Sequence, residues 1–166
     1  MADKNYYDVL TNWLKNAYNI ETTLVQMLDN QAERAGGFTE LRSQLHGHRE
    51  ATQRHAQMVK ECLEYLGEDV SEVRAQASKL FGEVQSRMVG VYGDSIVRDA
   101  IVGAMVEQLE ISTYSAIITL ADQLGEQKIV NNCSEILEDE RNMHGFLEDH
   151  LEKVVNRAYE EDLLTK

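Results

Sequence analysis

The sequence predicts an all-α protein: a four-helix bundle of two antiparallel hairpins, joined by a long crossover that contains an extra helix. Three observations predict it. The 166 residues include no proline, so nothing interrupts long helices. Apolar residues recur at alternating steps of three and four, and no stretch shows the period-two alternation of a half-buried strand. Glycines at Gly36, Gly37, Gly67, Gly93 and Gly125 divide the chain into long segments rich in helix formers.

Taken in order, the segments predict helices over 5–34, 39–66, 71–90, 95–124 and 126–158. Thr39, Ser71 and Asp94 or Ser95 are candidate N-caps, whose side-chain oxygens accept from the first free backbone N–H groups. The glycines are candidate C-terminal stops. Short joins at Gly36–Gly37 and Gly125 fold the long helices into two hairpins. The segment between Gly67 and Gly93 has its own amphipathic pattern (Val73, Ala77, Leu80, Val84, Met88) and can cross from one hairpin to the other. One domain over 1–166 is the expectation at this length.

Asp and Glu total 29 against 16 Lys and Arg, a net charge of −13. No basic face is available to meet phosphates, which argues against nucleic-acid and anionic-membrane partners. The start MADKNYYDVL lacks a basic region followed by an apolar one, and the longest apolar run, IVGAMV, is far too short to span a bilayer. Cys62 and Cys133 make no disulfide framework; at apolar helix positions they read as reduced and buried. A cytoplasmic location follows as the expectation.

The buried seams then turn polar. In the first helix the stripe is Leu10, Leu14, Ala17, Glu21, Leu24 and Leu28, with an acid at its centre. In the fourth segment it is Ala100, Gly103, Glu107, Glu110, Tyr114, Ile117 and Ala121; in the last, Ile129, Cys133, Ile136, Glu140, His144, Leu147 and Leu151. Residues equidistant from a hairpin turn face one another. Counting from Gly125 sets Glu110 near Glu140 and Glu107 near His144, and counting from Gly36–Gly37 sets Glu21 opposite Ala51 and Thr52. Ionised carboxylates in a dry core cost many kcal/mol each, so this layer requires protonation or a cation. Carboxylate oxygens and imidazole nitrogens converging there suit iron, manganese or zinc. The second helix offers His55 first, His48 next and Glu50 third: its stripe (Leu41, Leu45, His48, Thr52, His55, Val59, Cys62, Leu66) points both histidines inward and Glu50 away. A π-bulge would be needed to bring Glu50 and His55 together.

The stretches LKNAYNIETTL, LHGHREATQRH, VRDAIVGAMVEQLEISTYSAIITLADQLG and LEDERNMH resemble the ferritin-like superfamily, and more closely the bacterial stress-associated YciE/YciF type. In the rubrerythrin-like branch a dinuclear metal centre draws a Glu from the first helix, a Glu–His pair from the second, an E-x-x-E pair and a later E-x-x-x-H pair. The resemblance carries those roles to Glu21, to Glu107 and Glu110, and to Glu140 and His144. The second helix departs from the pattern, with Gln53 where E-x-x-H needs histidine and Ala51 where many relatives have a second acid.

The resemblance implies a carboxylate-bridged iron or manganese protein, acting on O₂ or peroxide under stress, and a homodimer. Tyr114 and Tyr18 each lie about one turn from a candidate ligand and read either as core residues or as partners of the site. The rivals are a metal-free or mononuclear structural bundle whose acids are held neutral, and an iron-storage cage.

Overall fold

The computed structural model describes residues 2–70, 95–161 and 163–164. Four helices account for most of them: α1 (Ala2–Arg34), α2 (Thr39–Tyr65), α3 (Ile96–Gln123) and α4 (Gln127–Glu160). Each matches a predicted segment to within three residues at either end. The expected helix over 71–90, the caps Ser71 and Asp94 and the stop Gly93 lie outside the described residues.

The helix ends follow local chemistry. Ser95 caps α3, its hydroxyl accepting from the Arg98 N–H at 3.2 Å. Thr39 does not cap α2; it is the first helical residue, and its hydroxyl donates to the Gly37 carbonyl at 3.3 Å. Phe38 precedes it at the cap position, under the Arg157 guanidinium, which lies 4.6 Å above its ring. At the C-termini Gly36, Gly67 and Gly125 take φ of +44°, +84° and +76°, where a side chain would meet its own backbone.

Long-range contacts fix the packing order. Arg49 of α2 pairs with Asp29 of α1 at 2.9 Å, and the Tyr7 hydroxyl of α1 donates to Glu126, next to the start of α4, at 2.7 Å. Arg34, the last residue of α1, binds Asp99 in the first turn of α3 at 2.6 Å. His150 near the end of α4 meets Glu40 near the start of α2 at 3.0 Å. Every helix is therefore antiparallel to both neighbours, in the ring order α1, α2, α4, α3. Lys15 holds Glu68 at 2.6 Å, so the chain leaves α2 beside the first half of α1 and enters α3 beside its end. The connection consequently joins opposite ends of the bundle, as a ferritin-like crossover must.

A polar layer divides the core. On one side lie Leu10, Leu14, Leu63, Ile117, Ile129 and Ile136; on the other Leu24, Leu28, Leu41, Val106, Leu147 and Val154. Between them sit Glu21, His48, His55, Glu107, Glu110 and Glu140, all buried.

Replacing Gly125 by alanine is expected to lower stability through the backbone alone, since nothing lies within 4 Å of the added methyl. The cost should be about 1 kcal/mol, or a fall of roughly 3 °C in Tm for a chain of this size. Thermal melts check it, and Gly125→Asn should lie closer to the parent.

Candidate metal centre

Each helix contributes one stretch of its buried stripe to the polar layer. On α1 this is Glu21, between Tyr18 and Leu24. On α2, His48 and His55 are seven residues apart, two turns along one face, with Thr52 between them donating to the His48 carbonyl at 2.9 Å. Their rings lean toward one another, with centroids 6.4 Å apart. On α3, Glu107 and Glu110 occupy adjacent inward positions, and on α4 Glu140 lies between Leu137 and Met143.

The side chains form two triads with Glu140 in common. In one, Glu21, His55 and Glu140 each offer an atom, all within 4.8 Å of one another; in the other, His48, Glu107 and Glu140 do the same. Glu140 divides its carboxylate between them: Oε1 is 2.8 Å from His55 Nδ1 and Oε2 is 3.3 Å from His48 Nε2. His48 Nε2 is also 3.2 Å from Glu107 Oε2, and His55 Nδ1 is 3.7 Å from Glu21 Oε2. These approaches are close but not aligned as hydrogen bonds. The facing atoms of Glu21, His48, His55, Glu107 and Glu140, and both oxygens of Glu110, are buried without a hydrogen-bond partner. Groups so placed are close enough to share protons or to hold a cation between them.

Two supporting contacts turn atoms toward that space. The Tyr114 hydroxyl donates to Glu21 Oε1, leaving Oε2 toward His55. Asp139 Oδ2 lies 3.0 Å from His55 Nε2, so a proton held on Nε2 leaves the Nδ1 lone pair facing Glu21 and Glu140.

Of the residues the sequence pointed to, Glu21, His48, His55, Glu107, Glu110 and Glu140 are brought together. Glu50 is not: α2 is regular α-helix throughout, without a π-bulge, and Glu50 faces solvent. Nor does His144 reach the layer. After Glu140 the inward position of α4 falls three residues on, at buried Met143, which leaves His144 on the flank with Nδ1 3.4 Å from Glu148. His48, not His144, faces Glu107. Asp139 was missed, because an acid beside Glu140 in LEDERNMH looks like any solvated one.

Burial and the neighbouring charges move the layer's groups in opposite directions. Burial drives Glu110 well above the usual carboxylate range, reinforced by Glu21, Glu140 and Glu107, and lifts Glu107 to about 8 and Glu21 above its ordinary value. Burial would lower the histidines, but their carboxylate neighbours outweigh it. Glu107 and Glu140 raise His48 to about 10, and Glu140 and Glu21 raise His55 to about 10. Burial likewise opposes ionisation of Glu140, yet His48 and His55 hold it below the carboxylate range.

The sign of the pH dependence follows. Raised histidines stabilise the metal-free fold fully below their ordinary 6.5, and that contribution disappears as pH climbs toward 10. Glu107, raised from 4.5 to about 8, acts in the same direction. Glu140, depressed, contributes above the ordinary carboxylate range and is lost on acidification. Metal-free protein should therefore melt highest in mildly acid solution and lose Tm between pH 6.5 and 9. Calorimetry in chelator tests this; a Tm that rises across the interval would contradict the proton assignment.

Solved structures share this architecture. A protein from Xanthomonas campestris pv. campestris superposes with a TM-score of 0.81 at 26% identity, covering 95% of this chain and 98% of that one. The stress protein YciF of Escherichia coli superposes with a TM-score of 0.75 at 23% identity, covering 91% and 97%. Compared by sequence, YciF of Escherichia coli K12 is 30% identical over 149 residues, covering 85% of this chain and 87% of its own. The family described as Domain of unknown function (DUF892) matches residues 5–160, and the chain belongs to it, a ferritin-like bundle of the YciF kind.

Proposed function

We propose that the protein is a dinuclear metal-binding protein of the ferritin-like class, with Glu21, His48, His55, Glu107, Glu110 and Glu140 as its ligands. The observation that carries this reading is the pair of buried triads sharing Glu140, whose facing oxygens and nitrogens have no hydrogen-bond partner. Nitrogen and carboxylate donors together suit iron or manganese, with zinc also compatible. A bound pair of iron or manganese ions would supply redox chemistry toward O₂ or peroxide, the reaction class proposed here for a stress protein.

The chain's own residues have distinct tasks in this reading. Glu140, with an oxygen toward each triad, would help to hold both ions, and Glu21 and Glu107 would help to hold one each. The four glutamates, once deprotonated, would balance the charge of two divalent ions. His48 and His55 give one neutral nitrogen to each position, and Asp139 holds the His55 proton on Nε2. Tyr114 fixes the Glu21 carboxylate by donating to its other oxygen. The two apolar clusters above and below keep water away from the layer. No helix among the described residues is long and apolar enough to cross a membrane. We place the protein in the cytoplasm as a homodimer and assign it no nucleic-acid partner.

A second reading has its own observation: His48 and His55 already lie at ion-pair distance from Glu107 and Glu140, so a protonated layer can persist without metal as a structural bundle. Metal content separates the two. Protein purified without chelator and loaded anaerobically with Fe(II) or Mn(II) should bind near two ions per chain, releasing protons as it does so. Glu140→Ala should lose both ions and His48→Ala should retain about one. Glu50→Ala and His144→Ala should retain both. Elemental analysis of these variants decides; full metal content in Glu140→Ala would sink the dinuclear reading.

Asp139→Asn should weaken metal affinity by about ten- to a hundredfold without unfolding the chain, because Asp139 acts through His55. Metal titration with circular dichroism as the folding control measures it, and unchanged affinity would remove Asp139 from the site.

A further inference from the structure

The metal layer leaves one pair of reactive groups unused. Cys62 on α2 and Cys133 on α4 are free thiols, fully buried in the same apolar cluster. Each thiol is the leading influence on the other's ionisation, and the amide of Asn132, the residue next to Cys133, donates to Cys62 Sγ at 3.6 Å. Each cysteine stands seven residues from a ligand on its own helix, Cys62 from His55 and Cys133 from Glu140. Seven residues are two helical turns, roughly 10 Å, so the thiols form a second layer parallel to the first. Cys133 is also within electrostatic reach of Glu21 and of Tyr114, which donates to Glu21.

We propose that Cys62 and Cys133 are an internal two-electron store for peroxide reduction at the Glu140 centre, closing to a disulfide between α2 and α4 as they are spent. The step balances without another reactant. Two S–H bonds break and one S–S bond forms, releasing two electrons and two protons; peroxide takes both, its O–O bond breaks, and two waters leave. The thiols are chemically unequal, as exchange requires. The hydrogen bond from Cys133, opposed by burial and helped by Asn132 and Lys128, holds Cys62 below its ordinary value. The same hydrogen bond, with burial, drives Cys133 well above it. Two free thiols buried in one apolar cluster on neighbouring helices join when their sulfurs approach to about 2.05 Å. Burial, which shields both from peroxide in bulk solvent, makes oxidation depend on the metal layer.

This inference rests on the metal-binding reading, so the test measures metal first. Mn(II)-loaded protein of known metal content receives one peroxide per chain, is quenched in acid, unfolded and alkylated, and its intact mass is read. The expected product has lost both alkylatable thiols and about 2 Da, and dithiothreitol restores both. Cys62→Ala and Cys133→Ala should each keep their remaining thiol alkylatable while binding metal normally. Chelator-stripped protein should keep both thiols over the same interval. Protein that holds metal and consumes peroxide with both thiols intact would overturn this inference alone. Equal disulfide formation in the stripped protein would also overturn it, by severing the thiols from the metal. Protein that binds no metal would overturn the metal-binding reading and this inference with it.

Discussion

The structure depends on one constraint: four carboxylates and two imidazoles share a layer with no access to water. A domain is stable by only about 5–15 kcal/mol, and a single uncompensated buried charge costs several. The layer cannot exist as bare ions. It must carry protons or metal, and the choice sets both the stability of the fold and what the protein can do. With protons, His48 and His55 become cations facing Glu107, Glu140 and Glu21, and Glu110 stays neutral. With metal, those protons have to leave. Folding and loading therefore draw on the same sites and respond to pH in opposite directions.

Placing six donors in one layer requires register as much as composition. A one-residue error rotates a helical side chain by about 100°, from the seam to the flank. His144 illustrates the sensitivity, since a step of three from Glu140 stays inward at Met143 while a step of four does not. Register is held far from the site. Left-handed glycines at Gly36 and Gly125 make the hairpins tight, and the pairs Arg34–Asp99, Tyr7–Glu126 and Lys15–Glu68 tie the ends. Two separate apolar clusters, one on each side of the layer, supply the burial that the layer itself cannot.

Much of this was legible in the sequence because the signals were periodic. The absence of proline, the glycine joins and the stripes on α1, α2 and α3 led to the helices and to Glu21, His48, His55, Glu107 and Glu110. The last helix was legible only to Glu140. Its stripe admits a step of three or four there, and sequence has no means of choosing until packing against α2 does. The stripe drawn through the last helix took the step of four, to His144, whereas on α2 helix phase had already turned Glu50, the third choice there, outward. Asp139 was invisible for another reason: its role depends on meeting His55 across the bundle, a contact between residues 84 apart. Thr39 failed as a cap because Phe38, one residue earlier, holds that position beneath Arg157.

The departures on α2 account for the two similar triads of the polar layer. A Glu–His pair three residues apart would put an acid and an imidazole on a single turn. Here Gln53 faces outward and bonds Arg49, and Ala51 offers no donor. In their place stand two imidazoles two turns apart, each too far along the helix to share a triad with the other. Glu140, approaching from the antiparallel α4 between them, is the one carboxylate among the described residues that meets both. The exchange removes one acid and adds one nitrogen, so each half has an imidazole, its own glutamate and half of Glu140, with Glu110 near at hand. Four carboxylates remain, enough to balance two divalent ions and no more. In the proposed dinuclear reading, the substitutions that seem to dismantle the pattern would instead divide its donors evenly between the two triads.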